Sequence, residues 1–496
     1  MTLARLRLDL SGTWRSSKYS QTAIALILIS LGAHRMGTLQ DRIDRTGGPL
    51  AMLRGSQIGQ YSFPIPAEFS NWRDECEAWT QTAVLLDQSH HMTDLYIEGP
   101  DTIRLLSDLG INNFKSFGRN KAKQFVACNT LGQVIGDAVL FGLDDFRVSL
   151  VGRPHVPNWV QYNAIAGRYD VIIERDDRTI NNNRGRRTFR FEVQGPNAWS
   201  ILEKLNGGPI ADIKFFSMGQ ITVAGRIVRA LKHGMAAAPG LELWGPAEEA
   251  EEVRGAILEA GKDFGLLLAG ARAYSTASTE SGWFASVLPA IYSDPSLAAY
   301  RRWLPETTFE ATASLGGSFI SDDINDYYIT PWDSGYSFVD FNHDFIGRDA
   351  LLAGRDTPHL KKFTLLWDND DVVSIFRSQF NPGTERFKFM EAPAAYYATF
   401  PFDSVMLHGD HVGLSTYVIF SSNLRRWISL ALLNPNKVSD GDAVEILWGE
   451  PDGGSKRSVV ERHRQTVVRA TVAASPVASE VRKGYRSHVT STALAR

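Results

Sequence analysis

The sequence predicts an α+β protein in which a long mixed region is followed by an all-β segment. From Gly47 to about Leu352, short alternating runs typical of strands are interspersed with runs of helical periodicity. After Asp349 the chain becomes a series of short apolar runs separated by Gly and Asp turns. That spacing predicts a β-barrel or a β-sandwich. A chain of 496 residues is long enough for about two to four domains.

Hydrophobic periodicity predicts two strands and two helices in the mixed region. Alternating apolar residues predict strands at 147–152 and 189–194. Apolar residues that recur on one face predict helices over 197–205 and 249–264. The intervening polar segment, 176–187, predicts a solvated loop.

Apolar and polar residues alternate in the C-terminal part of the chain, as is typical of strands. We expect strands at 362–367, 405–414, 415–420, 427–433, 443–448 and 466–473. The sequence therefore predicts a β domain over 356–474, followed by a polar tail over 475–496.

The N-terminal residues 1–35 differ from the rest of the chain. A basic stretch precedes a short apolar run over 23–31, as in a signal peptide, but no small-x-small cleavage site follows it. A second methionine stands at position 36. We expect that the protein begins at Met36; a secretory or anchor segment is the alternative. The low cysteine content favours the cytoplasm.

Composition and missing motifs exclude several classes of protein. Charged residues balance to a net charge of −3, which disfavours nucleic-acid binding. No run approaches the roughly 20 apolar residues of a membrane-spanning helix. Two cysteines cannot form a thiolate zinc site, and His90 and His91, if they lie on a strand, point to opposite faces. The motifs of dinucleotide binding, P-loops, zinc proteases and α/β-hydrolases are all absent. We therefore expect no nucleic acid, membrane or metal partner.

Several motifs follow one another in a recognisable order. They are Gln88-Ser-His-His-Met, Leu131-Gly-Gln-Val-Ile-Gly-Asp137, Val193-Gln-Gly-Pro196, His233-Gly-Met-Ala-Ala-Ala-Pro-Gly-Leu-Glu-Leu-Trp244 and Phe345-Ile-Gly-Arg-Asp-Ala-Leu351. This order resembles the folate-dependent family of the glycine-cleavage T-protein, or aminomethyltransferase. Within it, the chain is most similar to the bacterial tetrahydrofolate-dependent aromatic O-demethylases of vanillate, 3-O-methylgallate and syringate. That closer resemblance rests on Ser56-Gln-Ile-Gly, Glu68-Phe-Ser-Asn-Trp-Arg73, Asn120-Lys-Ala-Lys-Gln124 and Glu280-Ser-Gly-Trp283.

The resemblance implies a fold, a reaction and a cofactor. The family fold is a three-domain ring, with two α/β lobes that hold folate, here 36–355, and a C-terminal β-barrel. The implied reaction transfers the methyl group of a methoxylated aromatic acid to N5 of tetrahydrofolate, and it leaves a phenol. Demethylation of a sulfonium or a methylamine, or folate binding without catalysis, remains an alternative on the same scaffold.

The resemblance also implies the residues that bind folate. Glu242 matches the family carboxylate that accepts hydrogen bonds from the pterin ring, and a carboxylate suits two parallel N–H donors. Gln194 is expected to line the folate side, and Trp283 to stack on a flat ring. The structural alternatives are a surface strand Glu, a turn-bonding Gln and a core Trp.

Arg153, His91 and Gln88 are the main candidates for binding the aromatic acid. Arg153 ends a strand and matches the family arginine that holds the aryl carboxylate in a bidentate pair. His91 and Gln88 match residues near the substrate, although a straight strand cannot aim both at one site. Either the strand is irregular or one of the two is not a ligand. Three further substrate candidates are Tyr61, Phe63 and Thr312.

Tyr274 is the expected catalytic residue. Removal of a methyl group from an aryl ether releases a phenolate, which is a poor leaving group. A phenol with a pKa of about 10 is suited to donate a proton to that oxygen. The structural alternative is a core tyrosine.

Two positions depart from the family pattern. Aminomethyltransferases have an Asp-Asp pair where this chain has Gly136-Asp137, and the missing first Asp argues against aminomethyl transfer. The vanillate enzymes have a Tyr where this chain has Phe63. The lost hydroxyl suggests that a more substituted ring, such as syringate, is preferred to vanillate.

Overall fold

A computed structural model describes residues 37–57, 62–284, 287–454 and 457–477. The strands in this part of the chain are β1 (Ala83–Asp87), β2 (Thr93–Glu98), β3 (Ala122–Cys128), β4 (Val134–Gly142), β5 (Arg147–Gly152), β6 (Ile172–Asp176), β7 (Thr188–Gln194), β8 (Met218–Val223), β9 (Arg226–Leu231), β10 (Gly240–Pro246), β11 (Leu266–Ala269), β12 (Leu315–Gly316), β13 (Lys361–Trp367), β14 (Phe400–Pro401), β15 (Asp403–Leu407), β16 (Asp410–Ser421), β17 (Arg426–Leu433), β18 (Ala443–Trp448) and β19 (Thr466–Ala474). The α-helices are α1 (Leu39–Thr46), α2 (Pro49–Gly55), α3 (Trp72–Gln81), α4 (Thr102–Leu109), α5 (His155–Ala166), α6 (Ala198–Asn206), α7 (Ala250–Gly261), α8 (Ala271–Glu280), α9 (Ala298–Trp303), α10 (Phe309–Thr312), α11 (Arg348–Gly354) and α12 (Asn369–Ser378).

Two sheets form the mixed α/β region. One has six strands in the order β11-β1-β7-β10-β9-β8, and only the β1–β11 pair is parallel. The other has five antiparallel strands in the order β3-β4-β5-β2-β6. The sheets meet where the ring of Phe141 on β4 packs edge-on against Trp244 on β10, with ring centroids 5.1 Å apart. Strand β2 follows β1 directly, so the loop over 88–92 passes from one sheet to the other.

The predicted elements of the mixed region agree with the structure except in one loop. The expected strands correspond to β5 and β7, and the expected helices to α6 and α7. Gly207 ends α6 in the left-handed conformation, with φ of 73°. The prediction of a solvated loop over 176–187 is wrong for Arg186. Its side chain is 6 % exposed and forms an ion pair with Asp94, because the loop folds back against β2.

The C-terminal strands close into a barrel in the order β13-β17-β16-β15-β18-β19. Trp367 and Trp448 fill its interior, with ring centroids 5.4 Å apart. The predicted single strand over 405–414 is wrong, because the chain reverses at His408 and Gly409. Both residues have positive φ, and β15 and β16 pair across this turn. The domain boundaries at 355 and 474 stay a prediction.

Helix α8 connects the six-stranded sheet to the barrel. At its C-terminal end, the carboxylate of Glu280 accepts hydrogen bonds from Ser421 (2.6 Å) and Asn423 (2.8 Å) beside β16. The same carboxylate accepts a bond from Trp79 of α3. These three contacts fix the orientation of α8, which carries Tyr274.

Three sequence-based expectations lie wholly or partly outside the described residues. They concern the N-terminal extension, Tyr61, and the tail beyond 477. Within the described ranges, no helix combines the length and the apolar character that crossing a bilayer requires.

The alternation on β19 gives a direct test of the barrel core. Val468 is fully buried, whereas its neighbour Val467 is 50 % exposed. We expect Val468→Ala to lower the free energy of unfolding by about 2 kcal/mol, because it removes buried apolar surface and leaves a cavity. The same change at Val467 serves as the control and is expected to cost under about 0.5 kcal/mol. Denaturant unfolding measures both, and equal losses would contradict the barrel assignment.

Candidate active site

The hydroxyl of Tyr274 is the point where three segments of the chain meet, and a fourth packs against one of them. It lies 2.9 Å from Nε2 of His91 and donates to Sδ of Met235 at 3.0 Å. The Tyr274 and His91 rings pack edge-on, with centroids 5.0 Å apart. Phe63 packs edge-on against the other side of His91, at 6.2 Å. The structure therefore brings together three of the predicted residues, Tyr274, His91 and Phe63, and adds Met235.

His91 and Gln88 lie in the loop between β1 and β2, so their assignment to a strand is wrong. Their side chains form hydrogen bonds with different partners. The Gln88 amide donates to the buried carboxylate of Glu192 at 2.6 Å, whereas His91 faces Tyr274. His90 turns away from both and bonds to Thr179. Of the two candidates, only His91 reaches the Tyr274 hydroxyl.

His91 is held in its neutral form. Burial, and after it the nearby positive charge of Arg153, lower its pKa to about 3. The ring therefore acts as a hydrogen-bond partner for Tyr274 and not as a cation. Since a neutral imidazole has one donor and one acceptor nitrogen, it fixes the orientation of the phenol without adding charge.

Arg153 follows β5 at the same end of the sheet as His91. Its guanidinium forms no ion pair and no side-chain hydrogen bond with any residue that the structure describes. Its charge lowers the pKa of both His91 and His155. A half-buried guanidinium without a protein carboxylate is suited to bind an anionic ligand.

Two tyrosines lie in the surroundings of Arg153: Tyr396, in the segment before β14, and Tyr417, on barrel strand β16. The Tyr396 hydroxyl lies 3.5 Å from the carbonyl oxygen of Ser275, which follows Tyr274 in α8. Tyr417 packs edge-on against Tyr396 at 5.6 Å and has a φ of 54°, at a register shift between β16 and β17. Arg153 acts on the pKa of both hydroxyls, so all three groups lie within electrostatic range. Strained residues and β-bulges often occur at functional sites.

Glu242 lies in the middle of β10 and is 4 % exposed, so it is not a surface residue. One carboxylate oxygen accepts a bond from Arg190 at 2.9 Å, and Arg190 also donates to Asp94. The other oxygen accepts no hydrogen bond from the described residues. Nearby, the buried Nδ1 of His233 has no partner, and Glu242 acts on the pKa of that ring. Strand β10 thus presents an acceptor oxygen, and the loop after β9 holds, within electrostatic range of it, a ring nitrogen that has no partner among the described residues.

Gln194 has a structural role in the loop that follows β9. Its amide nitrogen donates to the carbonyl of Ala238 at 2.9 Å, and its oxygen accepts from the backbone of Ala236 at 2.8 Å. Both ends of the amide therefore hold the loop that carries Met235. Contact of Gln194 with a cofactor stays a prediction.

Trp283 belongs to a polar cluster around Asp137. The Asp137 carboxylate accepts bonds from Gln124 (2.6 Å), Tyr336 (2.9 Å) and the indole nitrogen of Trp283 (3.4 Å). Burial raises the pKa of Asp137, and these three donors oppose that shift. The indole is thus held by its edge, which suits stacking on its face.

The surroundings of Gly136 leave no room for the Asp that the family resemblance predicts at this position. A Cβ atom added here would clash with the ring of His155 and with Val156. His155 in turn stacks on Phe309 of α10, with centroids 5.3 Å apart. In this chain the imidazole occupies the space that a carboxylate side chain at 136 would need.

Thr312 is not part of the cluster around Tyr274. It is exposed at the end of α10, and its hydroxyl bonds to the backbone of its own helix. No contact joins it to His91, Arg153 or Tyr274 among the described residues. A substrate contact of Thr312 stays a prediction.

Comparison with known proteins assigns the family. Residues 51–287 match the model of the GCVT N-terminal domain. The chain is 44 % identical over 451 residues to syringate O-demethylase from Sphingobium sp. (strain NBRC 103272 / SYK-6), covering 90 % of this chain and 97 % of that protein. The chain belongs to this GCVT family. The resemblance inferred from the ordered motifs is therefore confirmed.

Two further relatives extend the comparison. Sesamin methylene transferase from Sinomonas sp. (strain No.22) is 30 % identical over 410 residues, covering 78 % of this chain and 86 % of that protein. The crystal structure of glycine cleavage system aminomethyltransferase T from Bartonella henselae superposes with a TM-score of 0.56 at 15 % identity, covering 86 % and 94 % of the two chains. The predicted T-protein architecture, with mixed α/β sheets and a C-terminal barrel, is confirmed.

Sequence reasoning missed Met235, Arg190 and the two tyrosines in the surroundings of Arg153. Met235 lies within the motif that begins at His233, so its position carried a signal. Arg190 lies on a predicted strand with nothing local to show that it is buried. Tyr396 and Tyr417 are more than 100 residues from Tyr274 in sequence, and only the closed barrel brings them near.

The low pKa of His91 predicts its behaviour in solution. We expect its ring resonances to stay at their neutral values from pH 8 down to about pH 4, because burial disfavours the imidazolium. Since the unfolded chain takes up this proton near pH 6.5, His91 reduces stability as the pH falls from there towards 3. NMR of histidine-labelled protein measures the titration, and His91→Gln assigns the signal. A midpoint near 6.5 would contradict the assignment.

Proposed function

We propose that this protein is a tetrahydrofolate-dependent O-demethylase that removes a methyl group from a methoxylated aromatic acid. The observation that carries the proposal is the pairing of Tyr274 with a neutral His91, beside the unpaired guanidinium of Arg153. This arrangement offers a proton donor for a phenolate and a cation for a carboxylate. O-demethylation by one relative and methylene transfer by another, as their names state, support transfer of a one-carbon group.

Four residues have defined roles in the proposed reaction. Arg153 holds the carboxylate of the acid and so fixes the direction of the ring. Tyr274 donates its hydroxyl proton to the ether oxygen as the methyl group leaves. His91 and Met235 hold that hydroxyl in place until it does so. The main task of the site is to align the two reactants, because no covalent nucleophile is needed.

The residues on the β10 side fit tetrahydrofolate. The free oxygen of Glu242 and the unpaired Nδ1 of His233 can bond to the polar edge of a pterin, and Trp283 can cover a flat ring. When bound, tetrahydrofolate supplies the nitrogen that accepts the methyl group. The Arg190 guanidinium keeps Glu242 fixed for this contact.

We also place the reaction in the cytoplasm. Cys76 and Cys128 are both buried, and neither forms a disulfide. Burial raises the pKa of both thiols, so they are unreactive core residues. Free cysteines are typical of proteins in a reducing compartment.

The reaction itself is tested with a small panel of acids. Purified protein is incubated with tetrahydrofolate and with syringate, vanillate or 3-O-methylgallate, and 5-methyltetrahydrofolate is followed by chromatography. Loss of a methoxy group that depends on tetrahydrofolate is the expected result. If none of the acids reacts, the proposed function is wrong.

Tyr274→Phe tests the proton donor. We expect kcat to fall by about 10²- to 10⁴-fold, because the leaving phenolate loses its acid, while tetrahydrofolate still binds. Tyr169→Phe is the matched control, since that hydroxyl bonds to Asp108 and to no residue of the site. Steady-state kinetics and calorimetry give the two quantities. A near-normal kcat in Tyr274→Phe would rule out the acid role.

Phe63→Tyr tests whether this position selects between vanillate and syringate. We expect the ratio of kcat/KM for vanillate to that for syringate to rise about tenfold, the effect of roughly one hydrogen bond. Phe69→Tyr, at an exposed position in the same segment, is the control. An unchanged ratio in Phe63→Tyr would show that this position does not select the substrate.

A further inference from the structure

The segment that follows β6 lies directly against the loop that carries His91. The backbone N–H of Thr179 donates to the carbonyl of His90 at 3.0 Å, and the Thr179 hydroxyl lies 2.9 Å from Nδ1 of the same histidine. Asn182 closes the segment by donating to Asp176 at 2.7 Å. These contacts place Arg178, the residue before Thr179, beside the loop that carries His90 and His91.

Arg178 is half-buried, and no carboxylate in the described part of the chain pairs directly with its guanidinium. Its side chain forms no hydrogen bond or ion pair with the described residues, and its Nε is buried without an acceptor. The two carboxylates that raise the pKa of Arg178, Asp177 and Glu310, already accept hydrogen bonds from other residues. Asp177 accepts from Arg175 at 2.8 Å, and Glu310 accepts from Asn158 at 2.9 Å and from Tyr300.

Arg178 and Arg153 lie within electrostatic range of each other. Burial lowers the pKa of Arg178, and the charge of Arg153 is the next largest cause in the same direction. Asp177 and Glu310 each attract Arg178 more weakly than Arg153 repels it, and two like charges close to each other are costly in a partly desolvated place. Such a pair becomes favourable when an anion lies between the two groups.

We propose that Arg178 and Arg153 together bind the carboxylate of the aromatic acid, which makes Arg178 a second substrate-binding residue. The inference rests on the proposed function and narrows its substrate class. Each guanidinium offers a planar set of N–H donors, and a carboxylate has enough lone pairs for both. The site therefore selects aromatic acids over neutral methoxyphenols, aldehydes and amides.

The test compares Arg178→Gln with Arg184→Gln. Arg184 lies in the same segment, but its side chain is exposed and only its backbone N–H bonds, to Asn182. For syringate, we expect Arg178→Gln to raise KM by about 10- to 100-fold and to change kcat by less than about threefold, since a charge-assisted bond is lost. Arg178→Lys is expected to recover part of this loss. Arg184→Gln should match the wild type.

A neutral substrate separates recognition of the carboxylate from a structural role. With syringamide, the carboxamide of the same ring, wild type and Arg178→Gln are expected to have the same KM. An equal loss on the acid and the amide, or an unchanged KM for syringate, would overturn the proposal.

Calorimetric binding of syringate without tetrahydrofolate keeps this test independent of turnover. Weaker binding by Arg178→Gln, but not by Arg184→Gln, supports the paired arginines even if no demethylation is found. Equal binding of syringate by both variants and the wild type would overturn the proposal of paired arginines. Absence of turnover in the wild type would instead overturn the proposed function.

Discussion

The buried guanidinium of Arg190 is the interaction on which the arrangement of the two sheets depends. It donates to Asp94 on β2 at 2.6 Å and to Glu242 on β10 at 2.9 Å, so it joins one sheet to the other. The rings of Phe141 and Trp244 lie at 4.7 and 5.8 Å from the charge. With 1 % exposure, Arg190 can be tolerated only because two carboxylates neutralise it. Without it, Asp94 and Glu242 would be buried charges with no common partner.

The same network extends from this ion pair to the candidate catalytic tyrosine. Glu192 lies opposite Glu242, and burial together with that neighbouring carboxylate raises its pKa well above the usual range. Its two oxygens accept from Gln88 and from the backbone of Met235, and Met235 in turn contacts Tyr274. Glu242, on the predicted folate side, thus lies in register with Glu192, whose hydrogen bonds lead to Gln88 and Met235 on the substrate side. The barrel completes the site from the third side by anchoring α8.

Much of the architecture follows from local pattern. Strands β5 and β7 and helix α6 lie where periodicity predicts them, because their buried faces repeat with the period of the element. Periodicity predicts one strand over 405–414, but the chain reverses there at two residues in the left-handed conformation. The alternation of apolar residues continues through this turn and does not reveal it. The candidate site residues are predicted from the order of the sequence motifs and not from hydrophobic periodicity. Tyr274, His91 and Glu242 all lie at buried or half-buried positions in the cleft region, and their roles remain proposals.

The sequence by itself determined the secondary elements, the family and the residue types available for the chemistry. Only the tertiary structure decided which of them meet. It directs Gln88 to Glu192 and His91 to Tyr274, although the two are three residues apart, because the loop between the sheets is irregular. It also packs Thr179, from a segment that the sequence predicts to be a solvated loop, against His90 beside the site. Hydrogen-bond partners and unpaired charges depend on which distant strands and loops pack together, and no local pattern records that information.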